Sequence, residues 1–305
     1  MTAAPWVALG LTLVAAPALP GIVNRTRSLL TGRRGAPVIQ LYRDLARLWR
    51  KGTVYSRTTT WVFRVAPILL LATTAAAACL LPLDGRSAPL TFAGDFVAFA
   101  GLLALGRFAL VLAALDTGSS FEGMGASREG TFGSLSEPAL VLCFAALALA
   151  TGGTSLAVMF SQAPSLWSAA GPALAMVAGG LVLLTIAETG RVPVDDPATH
   201  LELTMIHEVM VLDHSGPDFA VMQYATALKL ALFGTMIVDV LVPRAGLPVA
   251  ASLTVWLVAL GAVAVALGVV EAMMARLSLT RVPRFLVVAA ILPAFAIILL
   301  LGSAG

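Results

Sequence analysis

Charged residues are scarce in this chain. Asp, Glu, Lys and Arg make up 11% of its 305 residues, against about 25% in a soluble domain. So little solvated chemistry excludes a disordered, collagenous or nucleic-acid-binding chain. Cysteine is nearly absent too. Cys79 and Cys143 both sit in apolar runs, with no CxxC and no Cys/His cluster. That leaves no framework for an iron–sulfur cluster, haem attachment or zinc, and two structural thiols are expected. Glycine-rich phosphate loops of the GxGxxG or GxxxxGK[ST] type are missing as well. No Lys or Arg precedes Arg25, so the apolar stretch from Pro5 to Val23 lacks the positive start of a signal peptide. It is expected to be a first membrane helix with its N-terminus outside.

What fills the chain is hydrophobic sequence, 59% of residues, with a mean hydropathy of +0.95. Eight runs are long enough to cross a hydrocarbon core of roughly 30 Å. They lie near 4–23, 61–83, 92–115, 138–160, 170–188, 225–243, 249–270 and 285–303. A lipid-embedded backbone must satisfy its own hydrogen bonds, and these Leu, Ala and Val runs lack the alternation of a barrel strand. The expected fold is therefore an all-α polytopic membrane protein, one membrane domain over residues 1–305.

Of the 19 Lys and Arg residues, ten fall between Arg25 and Arg64. Arg128, Arg191, Lys229, Arg276, Arg281 and Arg284 join them on one side, Arg86 and Arg244 lie on the other, and Arg107 falls inside the third span. The positive-inside rule then places both termini outside, with the loops 24–60, 116–137, 189–224 and 271–284 in the cytoplasm. Chemistry and docking are expected in those loops.

Within 38–51, Val38, Leu41, Tyr42, Leu45, Leu48 and Trp49 follow helical spacing opposite Gln40, Arg43, Asp44, Arg47, Arg50 and Lys51. This predicts an interfacial amphipathic helix, either a lipid anchor or an element that frames a cavity or docks a soluble subunit. A charge inside the bilayer costs roughly 3 kcal/mol on insertion scales. Asp95, Arg107, Asp116, Glu137, Glu188, Asp239 and Glu271 lie in or at the edges of spans, so each must pair, face water or carry protons. Arg107 is expected to find its partner on another helix.

The densest polar stretch runs from Glu188 to His214. Asp196-Pro197 is a plausible helix start, with the helix continuing to about Leu212. It carries His200, Glu202, His207 and Glu208. The seven-residue spacing of His200 and His207 is too long for the usual i, i+4 metal pair, so no metal site is expected. Proton handling and polar packing at a partner surface are the remaining readings.

Three stretches resemble one family. Glu188-Thr189-Gly190-Arg191, then Pro193, Asp195 and Glu202-Leu203, is similar to the E-T-N-R-x-P-F-D…E-L loop of the respiratory complex I subunit 1 family. Arg33-Arg34-Gly35-Ala36-Pro37 with Gln40 and Tyr42-Arg43-Asp44-Leu45 resembles that family's R-x-G-P…Q…D-x-x-K stretch. Gly125-Ala126-Ser127-Arg128-Glu129, ending at Ser136-Glu137-Pro138, resembles its second loop. The run from Val194 to Glu208 looks like the hydrogenase-4 and formate hydrogenlyase branch. Quinone-reducing relatives tend to carry more glutamates there, and a carboxylate midway along their fifth helix that this chain lacks.

The resemblance implies a membrane subunit without redox cofactors of its own, seated in a prokaryotic plasma membrane. Its partners would be soluble hydrogenase-like large and small subunits holding iron–sulfur clusters and nickel–iron, together with antiporter-like membrane subunits. It would couple electron transfer to proton or sodium movement. Glu137, Glu188, Arg191, Asp195, Asp196, Glu202, Glu208 and Arg107 are the expected coupling residues. Arg33, Arg34, Arg43, Asp44, Arg128, His200 and His207 are the expected docking residues. A quinone-binding subunit of a complex I-like NADH dehydrogenase, a stand-alone secondary transporter and a purely structural anchor are the competing readings.

Overall fold

The computed structural model describes residues 3–195, 205–244 and 246–303. Eleven α-helices are present among them: α1 Ala4–Ala15, α2 Ala18–Leu30, α3 Gln40–Leu48, α4 Trp61–Ala78, α5 Asp95–Asp116, α6 Ser120–Thr151, α7 Leu156–Gln162, α8 Trp167–Glu188, α9 Gly216–Leu241, α10 Val249–Met273 and α11 Val282–Ser303. Seven segments are long and apolar enough to span a bilayer, and the α1–α2 pair, bent by 46°, passes the same test when its two helices are taken together as one broken span. The chain is a polytopic, all-helical membrane protein.

The bend in the first span has a local cause. Pro17 has no N–H, so the carbonyl of Leu13 loses its i+4 donor, and the break also releases Val14. Two phenols replace those donors. Tyr224 of α9 donates to the Leu13 carbonyl at 2.8 Å, and Tyr42 of α3 donates to that of Val14 at 2.5 Å. The kink is thus satisfied by side chains, as lipid-embedded backbone requires.

α9 is the most buried span and forms the middle of the bundle, with Phe233, Met236 and Val240 in the main apolar cluster. Leu228, Ala231 and Val238 face a second cluster with Trp256 of α10. The amphipathic element α3 buries none of its residues and lies beside α9 and α2.

Two expectations change. The stretch 116–137 is not an open loop, because α6 starts at Ser120 and runs unbroken through Pro138 to Thr151. Gly152, with φ +70°, then ends it, so 152–160 does not continue the span. The predicted helix to Leu212 is also absent over 205–212, where the only helical turn is a 3₁₀ segment, Glu208–Val211. Tertiary contact overrides local propensity here. The segment lies directly on the backbone of α6 at Gly125, where an added Cβ would be 2.4 Å from Val209 Cγ1. Residues 196–204, with Asp196, His200 and Glu202, lie outside the described residues.

Candidate functional site

Arg107 is a buried cation on α5, and its guanidinium meets three carboxylates. Nε lies 3.1 Å from Glu129 Oε1 and Nη1 2.9 Å from Glu137 Oε1, both on α6, while Nη2 pairs with Glu188 Oε1 at the end of α8. The planar fork lets one cation serve three anions. α6 admits it because residue 133 is glycine: a Cβ there would be 2.5 Å from Nη1. The expectation that Arg107 pairs across helices is met.

Glu188 is clamped further. Ser136 donates to its Oε1 at 2.6 Å, and Lys229 Nζ lies 2.5 Å from its Oε2. The placement of Lys229 at a loop flank is therefore corrected. It lies well inside α9 and points into the bundle, where burial is offset by the pairing.

His207 extends the cluster towards the loop. Its Nε2 is 3.4 Å from Glu129 Oε2 and its Nδ1 is 3.4 Å from Asp195 Oδ2. Asp195 Oδ2 also accepts the backbone N–H groups of Ile206 and His207 at 3.1 and 3.0 Å. Burial raises the Asp195 pKa, but the bonds from His207 outweigh it and hold the carboxyl below its ordinary range. For His207, burial pulls the pKa down and the Glu129 and Asp195 carboxylates more than restore it, so it ends above its ordinary value.

A second network adjoins the first. Arg191 Nη1 lies 3.4 Å from Glu271 Oε1 and 3.3 Å from Asn24 Oδ1, and Arg27 approaches Glu271 at 3.9 Å. Burial lowers the Arg191 pKa, and Glu271 opposes that shift.

Both networks open on one cavity of about 580 Å³. Arg107, Glu129, Glu188, Lys229, Asp195 and His207 line its charged end. Leu41, Leu70, Leu103, Phe219 and Met222 line apolar walls, while Asn24, Gln40 and Asp44 close the side beneath α3. His214, stacked on Phe63 with ring centroids 3.8 Å apart, reaches the same space. The arrangement offers fixed positive and negative groups, one imidazole between two carboxylates, and a wall-to-water boundary.

Of the expected coupling residues, Arg107, Glu137, Glu188 and Asp195 come together in one cluster. Arg191 belongs to the adjoining network, and Glu208 is exposed at the cavity rim. Of the expected docking residues, Arg33, Arg34 and Arg43 are exposed. Asp44 is paired with Arg47 and accepts from Gln40 Nε2. Arg128 turns inward and donates to the Met205 carbonyl at 2.8 Å. His207 sits in the charge cluster. Sequence reasoning missed Glu129 and Lys229 as site residues. The signal for Glu129 was its helical spacing with Gly133, Ser136 and Glu137, which a loop reading of 116–137 conceals.

Comparison with known proteins bears on this site. The family model described as NADH dehydrogenase matches residues 3–302. Hydrogenase-4 component C of Escherichia coli (strain K12) is 33% identical over 232 residues, 76% of this chain and 72% of that protein. Formate hydrogenlyase subunit 4 of the same organism is 31% identical over 277 residues, 88% of this chain and 89% of that protein. A chain in the solved structure of the membrane-bound sulfane sulfur reductase, an archaeal respiratory membrane complex, shares the fold, with a TM-score of 0.79 at 21% identity over 96% of this chain and 98% of that one. This chain is a member of the NADH dehydrogenase family and a homologue of hydrogenase-4 component C and formate hydrogenlyase subunit 4.

Proposed function

We propose that this protein is the membrane subunit of a hydrogenase-4 or formate hydrogenlyase-type complex in a prokaryotic plasma membrane. Its basic side, with α3 and the loops after α8 and α10, faces the cytoplasm and receives a soluble hydrogenase-like arm. That arm carries the iron–sulfur clusters and the nickel–iron centre. Antiporter-like membrane subunits lie alongside and move protons or sodium ions. The chain itself links the two events through its buried charges.

One observation carries this reading: a seven-residue charge cluster, built around Arg107, lies at the inner end of a cavity that opens between α2, α3 and α9. Membrane-embedded ionisable groups of this density mark ion or proton pathways. The test is purification of the assembly with its companion subunits, followed by parallel measurement of electron transfer and ion movement. Glu188→Gln is expected to retain electron transfer and lose ion movement. Equal retention of both would remove the coupling role. Inhibition by a quinone-site inhibitor would instead favour the quinone-binding reading.

A further inference from the structure

We infer that His207, held between Glu129 and Asp195 at the cavity edge, is the group that takes up and releases the mobile proton of this cluster. The purpose of that proton rests on the coupling role proposed above; its location rests on geometry alone. A neutral imidazole carries one N–H and one lone pair. Here a carboxylate oxygen stands 3.4 Å from each ring nitrogen, so one lone pair always faces another unless both nitrogens are protonated. The charged groups around the ring are Glu129 from α6, Asp195 from the loop after α8 and Lys229 from α9. With His207 neutral, the described members of the cluster hold two cations, Arg107 and Lys229, against four carboxylates, Glu129, Glu137, Glu188 and Asp195. One added proton brings the cluster closer to balance.

The other members are poorly suited to the task. Glu188 is already held by two cations and a hydroxyl. Arg107 stays protonated at any accessible pH. The His207 side chain is 27% exposed and lines the cavity, whereas that of Glu129 is 8% exposed. The imidazole therefore stands where water ends and the ion pairs begin. Its raised pKa agrees with this placement.

The step balances simply. A cavity hydronium gives its proton to the free ring nitrogen, forming imidazolium and water. On release, the Nε2–H bond breaks and an O–H bond forms on Glu129 Oε2, leaving neutral imidazole and neutral carboxylic acid with total charge unchanged. Glu129 is paired inward with Arg107 at 3.1 Å and is the conduit, while His207, on the cavity side, is the store. Gly190 makes room for this: at φ +61° it lies against the ring, and a Cβ there would be 3.1 Å from Nδ1.

The full chain in lipid nanodiscs, labelled with ¹⁵N-histidine, tests the assignment by NMR titration. The chain has three histidines, and the resonance that His207→Gln removes identifies the one in question. It is expected to titrate above ~6.5, the ordinary histidine value, and to fall back in Glu129→Gln. Titration at or below that value, or indifference to Glu129→Gln, overturns the inference. If His207→Gln does not fold, Asp195→Asn must lower one histidine's titration in the same way; no movement in either carboxylate variant overturns it. In the purified complex, His207→Gln is expected to abolish ion movement while electron transfer continues. Ion movement at the wild-type level in that variant overturns the role of His207 and leaves the function standing. Electron transfer without any ion movement in the wild type overturns the function, while the titration still decides the proton site.

Discussion

Lys229 Nζ lies 2.5 Å from Glu188 Oε2, joining the middle of the central helix to the end of α8. Removing one member of a buried pair leaves the other unmatched, at a cost of about 3–5 kcal/mol. Lys229→Met is therefore expected to lower the midpoint of thermal unfolding in detergent markedly. Lys229→Met with Glu188→Gln should recover much of the loss. A double variant no more stable than Lys229→Met would show that the two residues do not act as a pair.

Gly133 and Gly190 predict a different kind of failure. Neither tolerates a side chain, since Gly133 abuts Arg107 and Gly190 combines positive φ with contact to His207. Overpacking of this sort costs about 1–3 kcal/mol, and the left-handed backbone adds roughly 1–2 kcal/mol for a residue with a Cβ. Gly190→Ala is expected to increase amide exchange over residues 205–211 more than elsewhere. Uniform exchange across the chain would contradict this local account.

The two described histidines predict opposite pH responses. Burial lowers the pKa of His214, whose Nε2 is 3.3 Å from the Phe63 carbonyl. Its folded value lies below the unfolded ~6.5, so its contribution is present above that pH and is lost as pH falls through the folded value. His207 is the reverse: its contribution is complete below ~6.5 and lost as pH rises through its raised folded value. Unfolding midpoints measured against pH should fall on both flanks. His214→Gln should flatten the acid flank, and His207→Gln the alkaline one.

Tyr224 offers a test of the broken first span. Its hydroxyl is the donor to the Leu13 carbonyl that Pro17 leaves without a partner. Tyr224→Phe strands that oxygen in an apolar setting, at about 1–3 kcal/mol. Restoring an N–H with Pro17→Ala in the same chain should recover stability by letting the helix supply its own donor. If Pro17→Ala worsens the single variant, the satisfaction argument fails.

Much of the architecture was legible beforehand. Hydrophobic run length found the spans, and Arg107, too costly to leave alone in lipid, announced a partner on another helix. The amphipathic spacing of 38–51 located α3. What escaped notice depended on neighbours. Glu129 and Glu122 looked like loop residues because 120–137 mixes polar and small side chains, yet α6 buries both, and it does so by packing against neighbours that include α5 and the 206–210 segment. Lys229 was counted with the loop cations because sequence gives its depth only to within a turn or so, whereas its function depends on which face of α9 meets α8. The helix expected to reach Leu212 yields to the close approach at Gly125, a contact between residues more than 80 positions apart.

The elbow after Ala15 has a consequence for whatever enters the chamber. Pro20, Gly21 and Asn24 form part of its wall, and they stand on the limb that leans away by 46°. Two tyrosines, one from α3 and one from α9, pin that lean, so the limb cannot swing upright without breaking both bonds. That side of the vessel is accordingly held in place. Any guest that rests against this limb must therefore suit a shape already set.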